Sequence, residues 1–300
     1  MRRLAVVRNP RSGTAIDTAK LEQALREAGI TAEILDMPEG PGFDDWIDGV
    51  AGAHDVIAAA GGDGTVSSVA AGVARANKTL AVIPTGTLNH FARDTGIPTD
   101  LSEAIAVLRT GRLDRIDVGS VNDHVFLNNV SLGSYPRMVH DRTAMEERGR
   151  SRRIAGIIAV ARTWWQLRSV TASIAIDGRD LIRHSPFVVI GNGSYVLSGF
   201  ALARRHNISD RQLSLYVAPH AGRLGALSLP MRALLGTLER YEQFETLCGK
   251  EITVSLRHRR VPAGIDGEVR ELESPLRFTV KPGALQLIVP PPSEPVEAKS

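Results

Sequence analysis

The unbroken apolar run Val56-Ile57-Ala58-Ala59-Ala60 passes straight into Gly61-Gly62-Asp63-Gly64-Thr65, and apolar residues then recur at helical intervals through Val73. A run without polar alternation suits a strand buried on both faces. Three glycines around one carboxylate let the backbone turn sharply and approach a ligand. The loop is therefore expected between a strand end and a helix N-terminus, where free N–H groups and a partial positive charge favour phosphate. Like charges repel, so for Asp63 to serve a phosphate site a divalent cation must lie between the two. The plain alternative is a tight turn in which Asp63 caps the helix.

Up to about residue 115 the chain alternates two textures. Leu4–Arg8, Thr31–Asp36, Val56–Ala60 and Leu80–Ile83 read as strands; Ala15–Ala28, Phe43–Gly52, Val66–Ala76 and Leu101–Thr110 read as helices. This alternation predicts an α/β domain, 1–116, with a parallel-type sheet and helices on both faces. Ligands of such sheets lie beyond the carboxyl ends of the strands. Three polar, glycine-bearing loops fall there: Asn9–Gly13, Gly61–Thr65 and Pro84–Asn89.

From about Asp117 the segments become short and β-rich: Val125–Val130, Ser173–Ile176, Phe187–Ile190, Leu213–Val217, Ile252–Leu256, Leu276–Val280 and Leu285–Val289. Asp177-Gly178, Gly191-Asn192-Gly193 and Pro282-Gly283 read as turns between them. A second, largely antiparallel β-sandwich domain is expected over 117–289, with a helical insert near 152–167. The proline-rich tail 290–300 is expected to be disordered.

The chain has 300 residues, 43% of them hydrophobic, which is enough to build real cores in both domains. A net charge of +3 and 5% aromatic residues argue against a nucleic-acid partner but are compatible with transient contact with an anionic membrane. The single cysteine, Cys248, excludes an internal disulfide and a multi-cysteine metal site; it reads as a space-filling residue in a reducing compartment. Leu4 to Val7 is too short for a secretory h-region, which needs about 7–15 apolar residues. The longest apolar stretch, Ile154 to Ala161, is far below the roughly 20 residues of a membrane-spanning helix. A soluble, cytoplasmic protein is expected, with peripheral contact at the inner membrane face.

Two further groups carry chemistry. In Asn9-Pro10-Arg11-Ser12-Gly13, Pro10 and Gly13 shape a turn from which Asn9, Ser12 and backbone N–H groups can donate to phosphate; an ordinary strand-to-helix turn explains the same residues. In Gly86-Thr87-Leu88-Asn89-His90-Phe91-Ala92-Arg93-Asp94, Thr87 can cap a helix or meet a phosphate, with Asn89 and His90 close behind. Near the end stands Ile265-Asp266-Gly267-Glu268, which by itself reads as a hairpin turn with solvated acids.

Together these segments resemble the diacylglycerol kinase catalytic-domain family, which includes soluble bacterial lipid kinases and the sphingosine and ceramide kinases. The resemblance spans nearly the whole chain and rests on the order of Asn-Pro-x-Ser-Gly at 9–13, Gly-Gly-Asp-Gly-Thr at 61–65, Gly-Thr-x-Asn at 86–89 and Asp-Gly-Glu at 266–268. It implies an NAD-kinase-like fold and ATP-dependent phosphorylation of a lipid hydroxyl, with ATP between the two domains. Asn9, Pro10, Arg11, Ser12, Gly13, Gly61, Gly62, Asp63, Gly64, Thr65, Gly86, Thr87 and Asn89 then resemble the nucleotide-binding residues. Asp63 resembles the acid that sets Mg²⁺ on the phosphates, and Glu268 the base that takes the proton from the lipid hydroxyl. The chemistry is consistent, because phosphoryl transfer is mostly positioning plus neutralisation of spread negative charge.

Two positions depart from the family pattern. His90 stands where soluble bacterial members commonly carry an acid, and an imidazole cannot repeat a carboxylate's part in a metal network. Asp94 compensates, substrate choice differs, or activity is weak; an exposed histidine without a role is the plain alternative. Family members also hold a structural Mg²⁺ through Asp-Gly-x-Leu; here Asp210 is kept, but Arg211 replaces the glycine and sets a bulky cation beside that site. Over Arg148 to Arg168, the stripe Ile154, Ile157, Ile158, Ala161 and Trp165, flanked by arginines and Trp164, reads either as a membrane-facing lid or as a helix packed on the β domain. The expected activity is phosphorylation of diacylglycerol or a related lipid presented at a membrane surface. An NAD kinase and a non-catalytic nucleotide- or lipid-binding protein are the rivals.

Overall fold

Strands made almost wholly of small and β-branched residues can be covered on both faces, and the first half of the chain uses this. The computed structural model describes residues 3–11, 16–38, 42–87, 89–133, 170–185, 187–198, 201–205, 209–217 and 245–291. The chain divides into two units: one runs to Ile116 and takes the chain back from Gly283, and the other is Asp117–Pro282.

The first unit is built from β1 (Leu4–Arg8), α1 (Thr18–Glu27), β2 (Glu33–Asp36), α2 (Phe43–Ala53), β3 (Val56–Gly61), α3 (Asp63–Arg75), β4 (Thr79–Pro84), α4 (His90–Asp94), α5 (Leu101–Thr110) and the start of β5 (Arg112–Val121). Its strands run parallel in the order β2-β1-β3-β4. Every residue of β3 and β4 is buried, as the unalternated apolar runs require. Leu21 and Leu25 of α1 and Ile105 and Val107 of α5 close over Val6, Ala58, Ala60, Ala81 and Ile83 on one face of the sheet. On the other side α2 and α3 meet so closely that a Cβ on Gly72 would lie 2.6 Å from Ile47. Asp17 and Asp100 start α1 and α5 by accepting the backbone N–H groups of Ala19 and Lys20, and of Ser102 and Glu103.

The second unit continues with β6 (His124–Phe126), β7 (Asn129–Gly133), β8 (Val170–Ile176), β9 (Arg179–Ser185), β10 (Phe187–Asn192), β11 (Tyr195–Ser198), β12 (Ala201–Arg205), β13 (Leu213–Val217), β14 (Glu245–Gly249), β15 (Glu251–Leu256), β16 (Arg260–Ile265), β17 (Glu268–Glu273) and β18 (Leu276–Val289). One antiparallel sheet has the order β14-β13-β10-β7-β16-β17; the facing one runs from β18 through β15 and β8 to β9. Val130, Leu132, Val188, Ile190 and Leu215 from the first pack against Ala172, Ile174, Ile252, Val254 and Phe278 from the second. Phe126 meets Phe278 edge-on, with ring centroids 6.4 Å apart. This is the sandwich that the short alternating segments imply.

The C-terminal stretch differs from its sequence reading. Pro282-Gly283 reads as a turn, yet β18 is one strand of 14 residues. Leu276–Thr279 pair antiparallel with β15, whereas Gln286 and Leu287 lie parallel beside Thr79 and Leu80 of β4. Leu285–Val289, grouped by sequence with the β-rich region, thus extend the parallel sheet of the first unit. The single strand changes partners near its middle, and the glycine there (φ +58°) absorbs the change of backbone. The insert near 152–167 and all but the first two residues of the tail lie outside the described residues, as do Trp164 and Trp165.

Candidate active site

Parallel strands send their chain ends to one edge, and here three polar loops follow neighbouring strands. Arg8 of β1 lies opposite Ala60, and Gly61 of β3 opposite Pro84 of β4, so the loops after residues 8, 61 and 84 share that edge. Arg8 is fixed there by a two-pronged ion pair with Asp36, at 2.7 and 2.8 Å. The guanidinium holds the Asp36 carboxyl below the usual carboxylate range. Asn9 bends the next residues by accepting the Arg11 N–H on its Oδ1 (3.1 Å).

Helix α3 starts at Asp63, three residues before the apolar periodicity alone predicts, because Val66 N–H already donates to Gly62 O (3.0 Å). The Gly-Gly-Asp-Gly-Thr segment is therefore mostly the first turn of a 13-residue helix, and the sharp bend is confined to Gly61 and Gly62. No side chain caps this N-terminus. A Cβ at Gly61 would run into the Thr65 side chain at 2.4 Å, which only glycine avoids.

The loop after β4 folds onto this turn. Thr85 N–H donates to Gly61 O (3.0 Å). A Cβ at Gly86 would lie 2.5 Å from Gly62 Cα and 2.7 Å from Asn89 Oδ1, so the two backbones meet this closely only because residue 86 is glycine. Asp63 closes the contact: its Oδ1 accepts the Phe91 N–H (3.1 Å) and so starts the five-residue helix α4. Its Oδ2 has no partner among the described residues.

Asn89 holds a left-handed backbone (φ 49°, ψ 46°) and donates from Nδ2 to Gly86 O (2.8 Å). It is 7% exposed. Its Oδ1, like the hydroxyl of Thr85, is buried without a hydrogen-bond partner among the described residues. Each unmet buried polar atom costs about 1–3 kcal/mol, so two beside one glycine contact mark a place where a ligand or water completes the structure.

In the second unit, β16 and β17 are joined by a two-residue turn at Asp266 (φ 47°) and Gly267 (φ 92°). Asp266 is not a solvated turn acid. Its carboxylate accepts three backbone N–H groups, from Leu127 (2.7 Å), Asn128 (2.8 Å) and Asn129 (2.9 Å). Glu268 follows as the exposed first residue of β17, with its carboxylate 3.4 Å from Arg270. A polar network continues behind the 127–129 backbone. Asn192 Nδ2 donates to Asp117 O and Leu127 O, and Tyr195 OH donates to Asn128 O. Asp117, 3% exposed, accepts Arg211 N–H at 2.7 Å, and Asp210 accepts Ser194 N–H at 3.1 Å. Burial pushes the Tyr216 phenol up; its oxygen accepts Tyr195 N–H at 2.8 Å.

A family model described as the diacylglycerol kinase catalytic domain matches residues 3–121, and one described as the YegS C-terminal NAD kinase beta sandwich-like domain matches residues 135–289, more than half of the chain. The chain belongs to the diacylglycerol kinase catalytic-domain family. A Pseudomonas aeruginosa protein named "Probable lipid kinase YegS-like" is 31% identical over 262 residues, 80% of this chain and 78% of that one. A Staphylococcus saprophyticus protein named "Diacylglycerol kinase" is 32% identical over 146 residues, about half of either chain (47% and 48%). In fold, a solved diacylglycerol kinase structure from Bacillus anthracis str. Sterne aligns with a TM-score of 0.68 at 19% identity, covering 97% of each chain.

For this kinase family member, the structure brings Asn9, Pro10 and Arg11, Gly61 to Thr65, and Gly86, Thr87 and Asn89 to one edge of one sheet. Ser12 and Gly13 lie outside the described residues. Thr87 and His90 are both exposed at the loop surface. Glu268 and Asp210 belong to the second unit. Sequence reasoning missed Thr85 and Asp266. It singled out Thr87 for the third loop, whereas Thr85 carries the unmet hydroxyl; a buried orphan leaves no trace in sequence. Cys248 is exposed on β14 rather than filling space, with its sulfur 3.5 Å from Ser214 Oγ.

Two Mg²⁺ positions implied by the family can be tested against these residues. At Asp63, one carboxylate oxygen is used by Phe91 N–H and the other is open, so Asp63 would hold the cation through that oxygen, and the cation would supply charge neutralisation. At Asp210, Oδ2 is used by Ser194 N–H, and Oδ1 has no partner among the described residues. Arg211 takes the left-handed backbone (φ 55°) that a glycine would supply, and its side chain is exposed rather than filling the site. Among the described residues no group of three or more acidic, histidine or cysteine side chains gathers to hold a metal, so further ligands at either position would be backbone carbonyls, phosphate or water.

Proposed function

We propose that this chain is an ATP- and Mg²⁺-dependent kinase that phosphorylates a hydroxyl group of a membrane lipid, with diacylglycerol or a related glycerolipid as first choice. The observation that carries the reading is the junction of Gly62 with Gly86, beside an uncapped helix N-terminus and the unmet acceptor of Asn89. The α3 backbone N–H groups donate to the nucleotide phosphates and the helix dipole favours their charge. Gly61, Gly62 and Gly86 let phosphate approach the backbone, while Asn89 Oδ1 and the Thr85 hydroxyl offer polar contacts inside the loop. Asp63 contributes its open Oδ2 to the cation site and uses Oδ1 to hold the loop in register. The cation, when bound, neutralises charge on the transferring phosphoryl group. Glu268 takes the proton from the lipid hydroxyl as it attacks, from the exposed first position of β17. Asp266 holds the turn that presents Glu268. Asp210 is proposed as the ligand of the structural Mg²⁺.

Among the described residues no helix is long and apolar enough to cross a membrane. The lipid acceptor is proposed to be met by peripheral contact at the inner membrane face.

The test is radiolabelled ATP with Mg²⁺ and a total lipid extract, with NAD offered in parallel. A labelled lipid supports the proposal and its chromatography identifies the acceptor. Labelled NADP would make the protein an NAD kinase. Nucleotide binding without turnover on either acceptor would make it a non-catalytic binder.

A further inference from the structure

Between β15 and β16 the chain passes from one sheet of the sandwich to the other through Arg257-His258-Arg259-Arg260, four exposed basic residues in a row. The backbone of this crossing is fixed. Ser274 N–H donates to Arg259 O (2.8 Å), and Leu256 N–H donates to Ser274 Oγ (3.0 Å), while the Leu256 side chain packs on the core. The side chains instead stand in water: those of Arg259 and Arg260 are 84% and 71% exposed. Their acid neighbour is Glu273, at 3.8 and 3.9 Å, distances at which an exposed pair contributes little. Asn122 ties a neighbouring turn to this end through Glu273 O and Arg277 N–H, bringing the exposed Asp123 and the exposed Arg277 alongside. Three arginines concentrated on one rigid turn, with Arg277 beside them, outweigh two acids.

Strand register shows what else meets this end of the sandwich. Leu256 lies opposite Ala172 near the start of β8, and Ala263 opposite Leu132 near the end of β7. The Asp266-Gly267 turn is at the other end of the β16–β17 hairpin, about 20 Å away for a six-residue strand. The basic turn therefore cannot touch the reacting atoms near Glu268; whatever it binds, it binds as an anchor. A nucleic acid would want aromatic side chains for stacking, and this chain has few.

We propose that the Arg257–Arg260 turn docks the protein on an anionic lipid bilayer. This rests on the reading of the protein as a lipid kinase and adds to it the surface through which the enzyme meets its substrate's membrane. Clustered basic residues near such a surface contribute roughly 1 kcal/mol each, and the attraction fades over a Debye length.

The experiment is co-sedimentation of the full chain with phosphatidylcholine vesicles, with and without phosphatidylglycerol. Four proteins are compared: wild type; the fourfold variant R257Q/H258Q/R259Q/R260Q; a charge-keeping variant R257K/R259K/R260K; and a control R26Q/R112Q/R179Q that removes the same arginine charge elsewhere. Wild type, the charge-keeping variant and the control should bind anionic vesicles in a salt-sensitive way and ignore neutral ones. The fourfold variant should lose on the order of 10²-fold in affinity, while its thermal melt and its turnover of lipid dispersed in neutral detergent stay as in wild type. Equal binding by the fourfold variant, equal loss in the control, equal binding to neutral vesicles, or capture of RNA in place of vesicles would overturn the proposal. If binding follows the expected pattern but no lipid is ever labelled, the kinase reading falls and the docking surface stands. If lipid is labelled but the binding pattern fails, the reverse holds.

Discussion

Asp63 and Asp266 sit in glycine-bearing turns of similar sequence, yet they are put to opposite uses. Asp266 spends its carboxylate on three backbone N–H groups of one strand entry. Asp63 gives one oxygen to Phe91 N–H and keeps the other open. Saturated carboxylates lock structure; under-used ones at a helix N-terminus are left with capacity for a cation or a ligand. The contrast extends to the surroundings. Around Asp63 the buried acceptor of Asn89 and the hydroxyl of Thr85 are unmet, whereas around Asp266 the buried Asn192 amide is used twice. The first region leaves polar groups unmet, and the second spends its own on a rigid support.

The largest expected effect tests the proposed base, Glu268, which follows this support. Glu268→Gln should lower phosphoryl transfer by about 10³-fold, in the range of a lost general base, with nucleotide affinity retained. Loss of nucleotide binding in step with activity would give Glu268 a structural part. Next, Asp63→Ala should cut turnover by about 10²-fold or more. Asp63→Asn sharpens this, because its amide oxygen still accepts Phe91 N–H: activity should fall while the melting temperature holds. If the Asn variant turns over normally, the carboxylate has no metal role.

Asp266→Ala should invert the pattern, costing about 3 kcal/mol of stability by urea unfolding because three charge-assisted bonds vanish. A variant as stable as wild type would show that the three bonds do not hold the turn. Arg211→Gly is a smaller change of opposite sign. Arg211 holds φ 55° with an exposed side chain, so glycine should stabilise by up to about 1 kcal/mol. The smallest effect concerns acid. Arg8 and Arg183 hold the carboxyls of Asp36 and Glu245 below their ordinary values. Their contribution is fully present above the unfolded carboxylate pKa and is lost as pH falls through the lowered folded values. Stability should therefore slope downward on the acid side of that range, and the slope should flatten in Asp36→Asn and Glu245→Gln.

Much of this was legible in sequence where one local rule governs. Helix α5 spans Leu101–Thr110 as read, since Asp100 caps it and Gly111 closes it. Strands β1, β3 and β4 were legible because burial on both faces writes itself as apolar runs. Elements set by tertiary contact were not. Helix α4 is five residues long, too short for periodicity, and starts where Asp63 reaches across from the first turn of α3. Strand β9 has the sequence Arg-Asp-Leu-Ile-Arg-His-Ser and lies at the end of its sheet's strand order; its inner face is Leu181, Arg183 and Ser185, so only one of the three inward residues is apolar and the alternation does not show in sequence. Strand β18 looks like two because its halves answer to two different sheets. At the candidate site the glycine loops were readable, but the partners of Asp266 lie far away in sequence, at 127–129, and only folding discloses them.

The most direct test of the binding edge is a crystal structure of the protein with Mg²⁺ and a non-hydrolysable ATP analogue. Phosphate density is expected on the N-terminal turn of α3, near Gly62 and Gly86, with a cation at about 2.1 Å from the open oxygen of Asp63. Nucleotide bound elsewhere, with that turn vacant and the Asp63 oxygen facing bulk water, would contradict it.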